Sequence, residues 1–248
     1  MHRIEDYAAA ARCARAYARG AYSNCDGFLL SLSGRGKDDC IYFEELPGKG
    51  VLFLLEHPQF IDLFAVGQFP EAIALSPQPK PVLFTHVRGQ PPELAEFAFF
   101  RSACRMELRD RETIAHAASP QVTQAAPGEE TALLALMAAS LPAVDLPDRI
   151  DPEHFYCIRS GGRIVACAGA DVTGKGCVLA HIAVAADMRR QGLGRALVEG
   201  SVAAARARGA EYFFLWVDEA NLAAVRLYER CGFHKTNHST KQWIKNKE

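Results

Sequence analysis

The sequence predicts an α/β protein built in two parts, and three features carry that reading. Strand-like and helix-like hydrophobic periods alternate along the 248 residues. An uncharged stretch with two prolines, Ser119 to Gly128, interrupts them near the middle of the chain. Beyond it, an apolar run ending at Val184 leads through a loop of arginines and glycines into a long helical pattern.

The first part spans residues 1–117. Ile4, Tyr7, Ala8, Ala11 and Ala14 follow a helical period up to Gly20, which predicts a helix over 4–19. Short strands are expected at Cys40–Leu46, Val51–Glu56 and Phe60–Val66, separated by Pro47-Gly48-Lys49-Gly50 and His57-Pro58. A strand over Val82–Val87 follows. Pro92, with Glu93 and Glu96 in its first turn, predicts a helix to about Ala103, then a strand over Cys104–Arg109.

The second part spans 120–248. Its order reads as a first strand after the linker, helix Glu129–Ser140, a short helix at Pro152–Phe155, and strands Tyr156–Arg159, Arg163–Gly169 and Cys177–Val184. Helix Leu193–Arg208 ends at Gly209. Strand Tyr212–Val217, helix Asn221–Cys231 ahead of Gly232, and a last strand near Gln242–Ile244 complete it.

Composition narrows the function. Apolar residues make up 49% and charged residues 23%, enough to bury a core. A net charge of −1 gives no global field to recruit nucleic acid or an anionic membrane. The 8 cysteines form no CxxC pair and no zinc spacing, so no metal is expected and a reducing cytoplasm is the expected setting. The N-terminus lacks an apolar h-region, Glu5 and Asp6 oppose a transit peptide, and no apolar run is long enough to span a bilayer.

The chemistry concentrates in one segment. After Val178-Leu-Ala-His-Ile-Ala-Val184 come Arg189, Arg190, Gln191, Gly192, Leu193, Gly194 and Arg195, with no acid among these seven. Glycines let backbone N–H groups approach a ligand, and the helix that follows offers unpaired N–H groups and its positive end. Such a cradle suits a pyrophosphate. A P-loop would need Lys-Ser where Arg195-Ala196 stands. A dinucleotide loop would need a small residue at Leu197 and a tighter turn than the seven residues between Val184 and Gly192, although Asp218 could imitate its ribose-binding acid. An exposed basic loop entering a surface helix is the bland alternative.

Two runs together decide among these. Ile182-Ala-Val-x4-Arg189-x-x-Gly192-x-Gly194 and, downstream, Asn221-x6-Tyr228-Glu-x-x-Gly232-Phe233 resemble the GCN5-related N-acetyltransferase (GNAT) superfamily. The resemblance runs from Val122 to the end. It implies a mixed α+β sheet and acetyl transfer from acetyl-CoA to a small-molecule or peptide amine by direct attack, since no Cys or Ser sits in the motif beside a base. It further implies that backbone groups of Ile182 and Val184, flanking Ala183, pair with the pantetheine arm. The strands ending at Val184 and Val217 would splay for the thioester. Backbone N–H groups from Arg189 to Arg195 would hold the pyrophosphate. Asn221 would bond the pantetheine arm, and Tyr228 would protonate the departing thiolate. The spacing agrees: seven helical residues rotate about 700°, so Asn221 and Tyr228 share a face. A core tyrosine and a plain N-cap are the structural alternatives for these two.

The pattern departs from the family at the base. A glutamate often stands two or four residues before the position of Ile182, where this chain has Ala180 and Val178. His181 is the nearest ionisable group, and its ordinary pKa of about 6.5 suits a base. Strand alternation turns it to the opposite face from Ile182 unless a bulge breaks the phase. Asp218 and Glu219 are second choices, and a water relay needs no named residue. A catalytically silent acyl-CoA-binding protein is the rival reading. His234 and His238 do not suggest a metal, Cys231 reads as a packing residue, and Tyr212–Val217 reads as a buried strand. The N-terminal domain could be a degenerate repeat of the same fold, or an unrelated module shaping the acceptor site or a homodimer contact.

Overall fold

The computed structural model describes residues 2–3, 41–46, 50–56, 61–67, 80–87, 97–108, 121–141, 146 and 150–245. The chain divides into two compact units. One comprises Met1–Cys104, Asp218–Ala220 and Asn237–Glu248; the other comprises Arg105–Val217 and Asn221–Thr236.

In the first unit, β1 (His2–Arg3), β2 (Ile41–Leu46), β3 (Gly50–Glu56) and β4 (Ile61–Gly67) pair antiparallel in sequence order, and β4 pairs parallel with β5 (Val82–Val87). β5 pairs antiparallel with the end of β12 (Phe233–Lys245), from Thr240↔Val87 to Lys245↔Val82. Burial explains β4: almost every residue is apolar and covered, as in a strand enclosed on both faces. Leu52, Ile61, Leu63, Ala65, Val82 and Phe84 form the core, with Trp243 packed against it.

Residues 98–103 correct the helix expected there: β6 runs over Ala98–Leu108. Glu93 and Glu96 are local helix signals, but Phe97-Ala-Phe-Phe-Arg is aromatic-rich and finds cross-strand partners. The rings of Phe84 and Phe97 lie 6.2 Å apart and those of Phe99 and Trp243 6.0 Å apart. The Ser102 carbonyl accepts from the Glu219 N–H at 2.9 Å. Tertiary pairing overrides propensity here. The helix expected over 4–19 lies outside the described residues, as do residues 92–96.

In the second unit, β7 (Val122–Gln124), β8 (Phe155–Ser160), β9 (Arg163–Thr173) and β10 (Gly176–Val184) pair antiparallel in sequence order, and β10 pairs parallel with β11 (Tyr212–Asp218). The order and sense of these pairings repeat those of β1 to β5. Helix α1 (Glu130–Ser140) lays Leu133, Leu136 and Met137 on Phe155, Cys157, Cys167 and Ala183. Leu197 of α2 (Leu193–Ala207) packs with Ile158, Val165, Ala166 and Ala168. The adjacent Cys157 and Ile158 thus serve the two faces of the sheet. Gly200 permits close approach of α2 to the edge strand, because a Cβ there would lie 2.8 Å from Val122. Arg159 makes a bidentate ion pair with Glu129 ahead of α1 and holds its carboxyl below the usual range.

β12 is longer than the strand expected near 242–244, because its polar first half, His234 to Ser239, carries little strand signal. Among the described residues, no helix is long and apolar enough to cross a membrane.

Candidate functional site

The site begins where two parallel strands part. β10 and β11 are paired from Gly176↔Tyr212 to Leu179↔Leu215, and there the pairing stops, although the strands continue to Val184 and Asp218. On its other edge β10 stays with β9, but the register shifts between Ala180 and Ala183. His181 occupies this bulge with φ +51°, left-handed backbone that a non-glycine residue seldom adopts. The Ala185 N–H bonds the Val165 carbonyl at 2.9 Å, toward β9. Alternation therefore turns the amide groups of Val184 and Ile182 to the edge that β11 has left. The Val184 carbonyl accepts from Arg189 Nε at 3.1 Å.

The bulge leaves His181 and Ile182 on opposite faces. Ile182 and Val184 pack in the cluster with Leu197, on the α2 side. The imidazole stacks on Phe155, 6.4 Å between centroids and 20° between planes, and Phe155 belongs to the α1 side. Val178 and Ala180, where an acid is usual, offer no proton acceptor.

A single turn of 3-10 helix, Ala186–Met188, leads from β10 into the basic loop. Arg163 anchors it through Asp187 at 2.6 Å, and Gln191 Nε2 donates to the Asp187 carbonyl at 3.4 Å. Arg190 has φ +61°, and Gly192 has φ +80° as the N-cap of α2. No side chain caps α2 and its first turn holds no acid, so the N–H groups of Leu193, Gly194 and Arg195 meet solvent at the positive end of the helix. The exposed Arg195 pairs with Glu199 one turn on, at 2.8 Å. This cradle fits an anionic phosphate group.

Helix α3 (Leu222–Arg230) stands opposite. Asn221 is its N-cap, with Oδ1 accepting from the Ala224 N–H at 3.1 Å, which leaves Nδ2 to donate. Two turns on, Tyr228 is buried against Phe233, ring centroids 6.4 Å apart. Burial pushes its phenol pKa upward, so the hydroxyl keeps its proton. Cys231, just beyond, is buried and its thiol is pushed up to about 12, the behaviour of an inert packing thiol. Asp218 Oδ1 accepts from the Ala220 N–H and Glu219 Oε2 from the Ser102 hydroxyl. Among the described residues no cluster of three or more His, Cys, Asp or Glu could hold a metal ion.

One residue just beyond the last β10–β11 pair is silent in the sequence. Trp216 lies within a run that reads only as a buried strand, yet its Nε1 is shielded from solvent and meets no acceptor among the described residues. No sequence signal separates it from its aromatic neighbours.

A strand edge opened for an extended ligand, beside a glycine-bounded anion cradle, is the arrangement of a coenzyme-A-binding acyltransferase fold. Residues 122–233 match the profile of the Acetyltransferase (GNAT) family, and this C-terminal region is a GNAT-superfamily domain. It is similar to the mycothiol acetyltransferase of Thermobispora bispora, with 39% identity over 92 residues, 34% of this chain and 30% of that protein. It is also similar to the [ribosomal protein bS18]-alanine N-acetyltransferase of Escherichia coli strain K12, with 38% identity over 80 residues, 32% of this chain and 54% of that protein. The matches therefore span about a third and about half of these relatives. In fold, the chain resembles the crystal structure of a GCN5-related N-acetyltransferase from Sphaerobacter thermophilus, with a TM-score of 0.60, 17% identity, and 99% and 95% of the two chains covered. A GNAT-family acetyltransferase from Colwellia psychrerythraea gives a TM-score of 0.57, 14% identity, and 99% and 98% coverage.

Proposed function

We propose that the protein transfers an acetyl group from acetyl-CoA to a primary amine by direct attack. The observation that carries this reading is the parting of β10 and β11 after Leu179↔Leu215, beside the uncapped start of α2. Ile182 and Val184 present backbone groups to the pantetheine arm as a neighbouring strand would. N–H groups between Arg189 and Arg195 hold the pyrophosphate, and Asn221 Nδ2 bonds the arm from the other side.

His181 takes a proton from the amine as its nitrogen bonds to the thioester carbon. As the carbon–sulfur bond breaks, Tyr228 gives its hydroxyl proton to the leaving thiolate, and both side chains then exchange protons with solvent. Both relatives are acetyltransferases, and one name specifies an alanine; a small molecule or peptide bearing an amine is the acceptor class proposed here. The test is thiol release from acetyl-CoA across an amine panel. An acetyl-CoA-induced rise in melting temperature without release from any amine would replace this reading with a catalytically silent binding protein.

We infer further that the first unit is a degenerate copy of the same fold. Its support is the repeated pairing scheme, antiparallel through β4 and then parallel to β5. Its equivalent gap is closed: β4 and β5 stay paired from Ile61↔Val82 to Val66↔Val87, and β3–β4 pairing runs without a register shift. Equilibrium dialysis should give one acetyl-CoA per chain, and two would overturn the inference.

A further inference from the structure

We propose that the acceptor carries a second cationic group, which the Asp171 carboxylate holds while the reacting amine meets His181. The acceptor class is thus an amine with a positive charge a few bonds away, in a diamine or on a basic side chain, rather than a plain alkylamine. This rests on the acetyl-transfer reading above and goes beyond it by naming what else the acceptor must bear.

Three neighbouring strands set the place. Phe155 of β8 lies across from Gly169 of β9, and Gly169 lies across from Ala180 of β10. Partners across a sheet share a face, and Phe155 packs with Leu133 and Met137 on the α1 side. Gly169 keeps this row close, since a Cβ there would lie 3.5 Å from the Phe155 ring. The His181 imidazole stacks on the same ring. Asp171 stands two residues beyond Gly169, directly across from Val178. It therefore shares the α1 face with the base, about 7 Å along the strand from the row beneath the imidazole. Val178 and Ala180 are apolar and half-buried, and they line the way between the two groups.

The side chains fit such a ligand. Asp171 is 57% exposed, so its carboxylate can be reached from solvent. Its Oδ1 lies 2.8 Å from Nδ1 of His154, at the end of the short turn Pro152–His154. That contact fixes the carboxylate and leaves Oδ2 to accept from an arriving N–H. An ionised carboxylate is an acceptor only, and its strongest partners are ammonium and guanidinium groups. The surrounding charges agree in sign. Glu153, beside His154, is exposed, while the Lys175 ammonium on the next turn is paired with Glu211 at 2.9 Å. The apolar strip of Val178 and Ala180 suits the methylenes that join the two nitrogens of the acceptor.

The experiment compares 1,5-diaminopentane with hexylamine, which carries CH3 in place of the second ammonium. A second arm compares alanyl-lysine with alanyl-norleucine, and so separates a free diamine from a peptide with a basic side chain. Each is assayed by CoA release with the wild type, Asp171→Asn and Asp171→Lys. Differences in amine reactivity cancel when the ratio of two kcat/KM values is compared between proteins. In at least one arm the wild type should favour the cationic member. Asp171→Asn should lower that preference about three- to tenfold, and Asp171→Lys should lower it further. Added salt should erode it in the wild type, and the acetyl-CoA melting shift should stay unchanged in both variants. Equal loss on both members of a pair, or a lost melting shift, overturns the proposal and makes Asp171 a structural residue. An unchanged ratio in both variants overturns it too, as does a wild type that acetylates other amines but neither cationic member. A wild type inactive with every amine sinks the acetyl-transfer reading beneath it.

Discussion

Gly194 stands directly against Leu227: a Cβ on the glycine would lie 3.2 Å from Leu227 Cδ2 and 3.8 Å from Val184 Cγ2. Its lack of a side chain lets the start of α2 meet both α3 and the end of β10. Gly192, two residues earlier, has open space around it and φ +80°. The two glycines should therefore fail differently. Gly192→Val forces a β-branched residue into left-handed backbone, at a cost on the order of 1–2 kcal/mol. Gly194→Val overpacks the helix contact, at about 1–3 kcal/mol. Both should also abolish stabilisation by acetyl-CoA, which at 100 times Kd is worth about 2.7 kcal/mol in the wild type. Gly194→Ala asks only that the flexible tip of Leu227 yield, and should keep most of the shift. If both valine variants retain the full melting shift, the cradle assignment fails.

Tyr228→Phe separates chemistry from packing. The ring against Phe233 is kept and only the hydroxyl is lost. The turnover number should fall on the order of 10²–10⁴-fold while acetyl-CoA affinity barely moves. Weaker binding with normal turnover would show that the hydroxyl grips the coenzyme instead of protonating its thiolate.

These positions differ in how openly the sequence announced them. Gly192, Asn221 and Gly232 are helix-end signals, which act through local backbone bonds, and α2 and α3 begin within a residue of where those signals put them. The parting of β10 and β11 was legible only through the resemblance, because a parallel pairing that stops early leaves no period in either strand. The bulge at His181 is equally silent: Ala-His-Ile-Ala continues a strand pattern, and only the register with β9 reveals the additional residue. At β6 the local signals mislead, because Pro92 and two glutamates favour a helix whereas the neighbouring strands β11 and β12 lie far along the chain. Trp216 is the extreme case, since an unmet donor is a property of surroundings and not of sequence.

Alkaline pH should weaken the fold through buried thiols that the reaction does not use, together with the Tyr228 phenol that it does. Burial pushes the thiols of Cys157, Cys167, Cys177 and Cys231 up to about 12, and pushes the Tyr228 phenol upward as well. In the unfolded chain these thiols ionise near 8.5 and the phenol near 10. Between those values and the folded ones the unfolded state binds fewer protons, so stability falls as pH rises. Each group can contribute a slope of at most about 1.4 kcal/mol per pH unit. The urea midpoint should hold to about pH 8 and then drop, and Cys177→Ala should flatten the drop. A midpoint unchanged from pH 8 to 10.5 would show that these thiols ionise as freely in the native protein as in the unfolded chain.

The base can be tested by the acidic limb of the pH profile. His181 sits in left-handed backbone on the face opposite Ile182, so its imidazole approaches the gap from the α1 side and away from the α2 side. An amine entering on that side would meet the imidazole before the thioester. The imidazole accepts a proton only when neutral, so kcat/KM should fall along an acidic limb as the imidazole takes up a proton. His181→Gln keeps similar size and hydrogen bonding but accepts no proton in this range. Its rate should fall, and the acidic limb should vanish. His181→Gly would relieve the backbone strain while removing the ring, so a stable but slow variant would separate conformation from chemistry. Survival of the limb at near-normal rate in His181→Gln would move the base elsewhere, with Asp218 and then Glu219 next to replace. Loss of the limb in His181→Gln together with unchanged acetyl-CoA binding would fix the imidazole as the group that takes the amine proton.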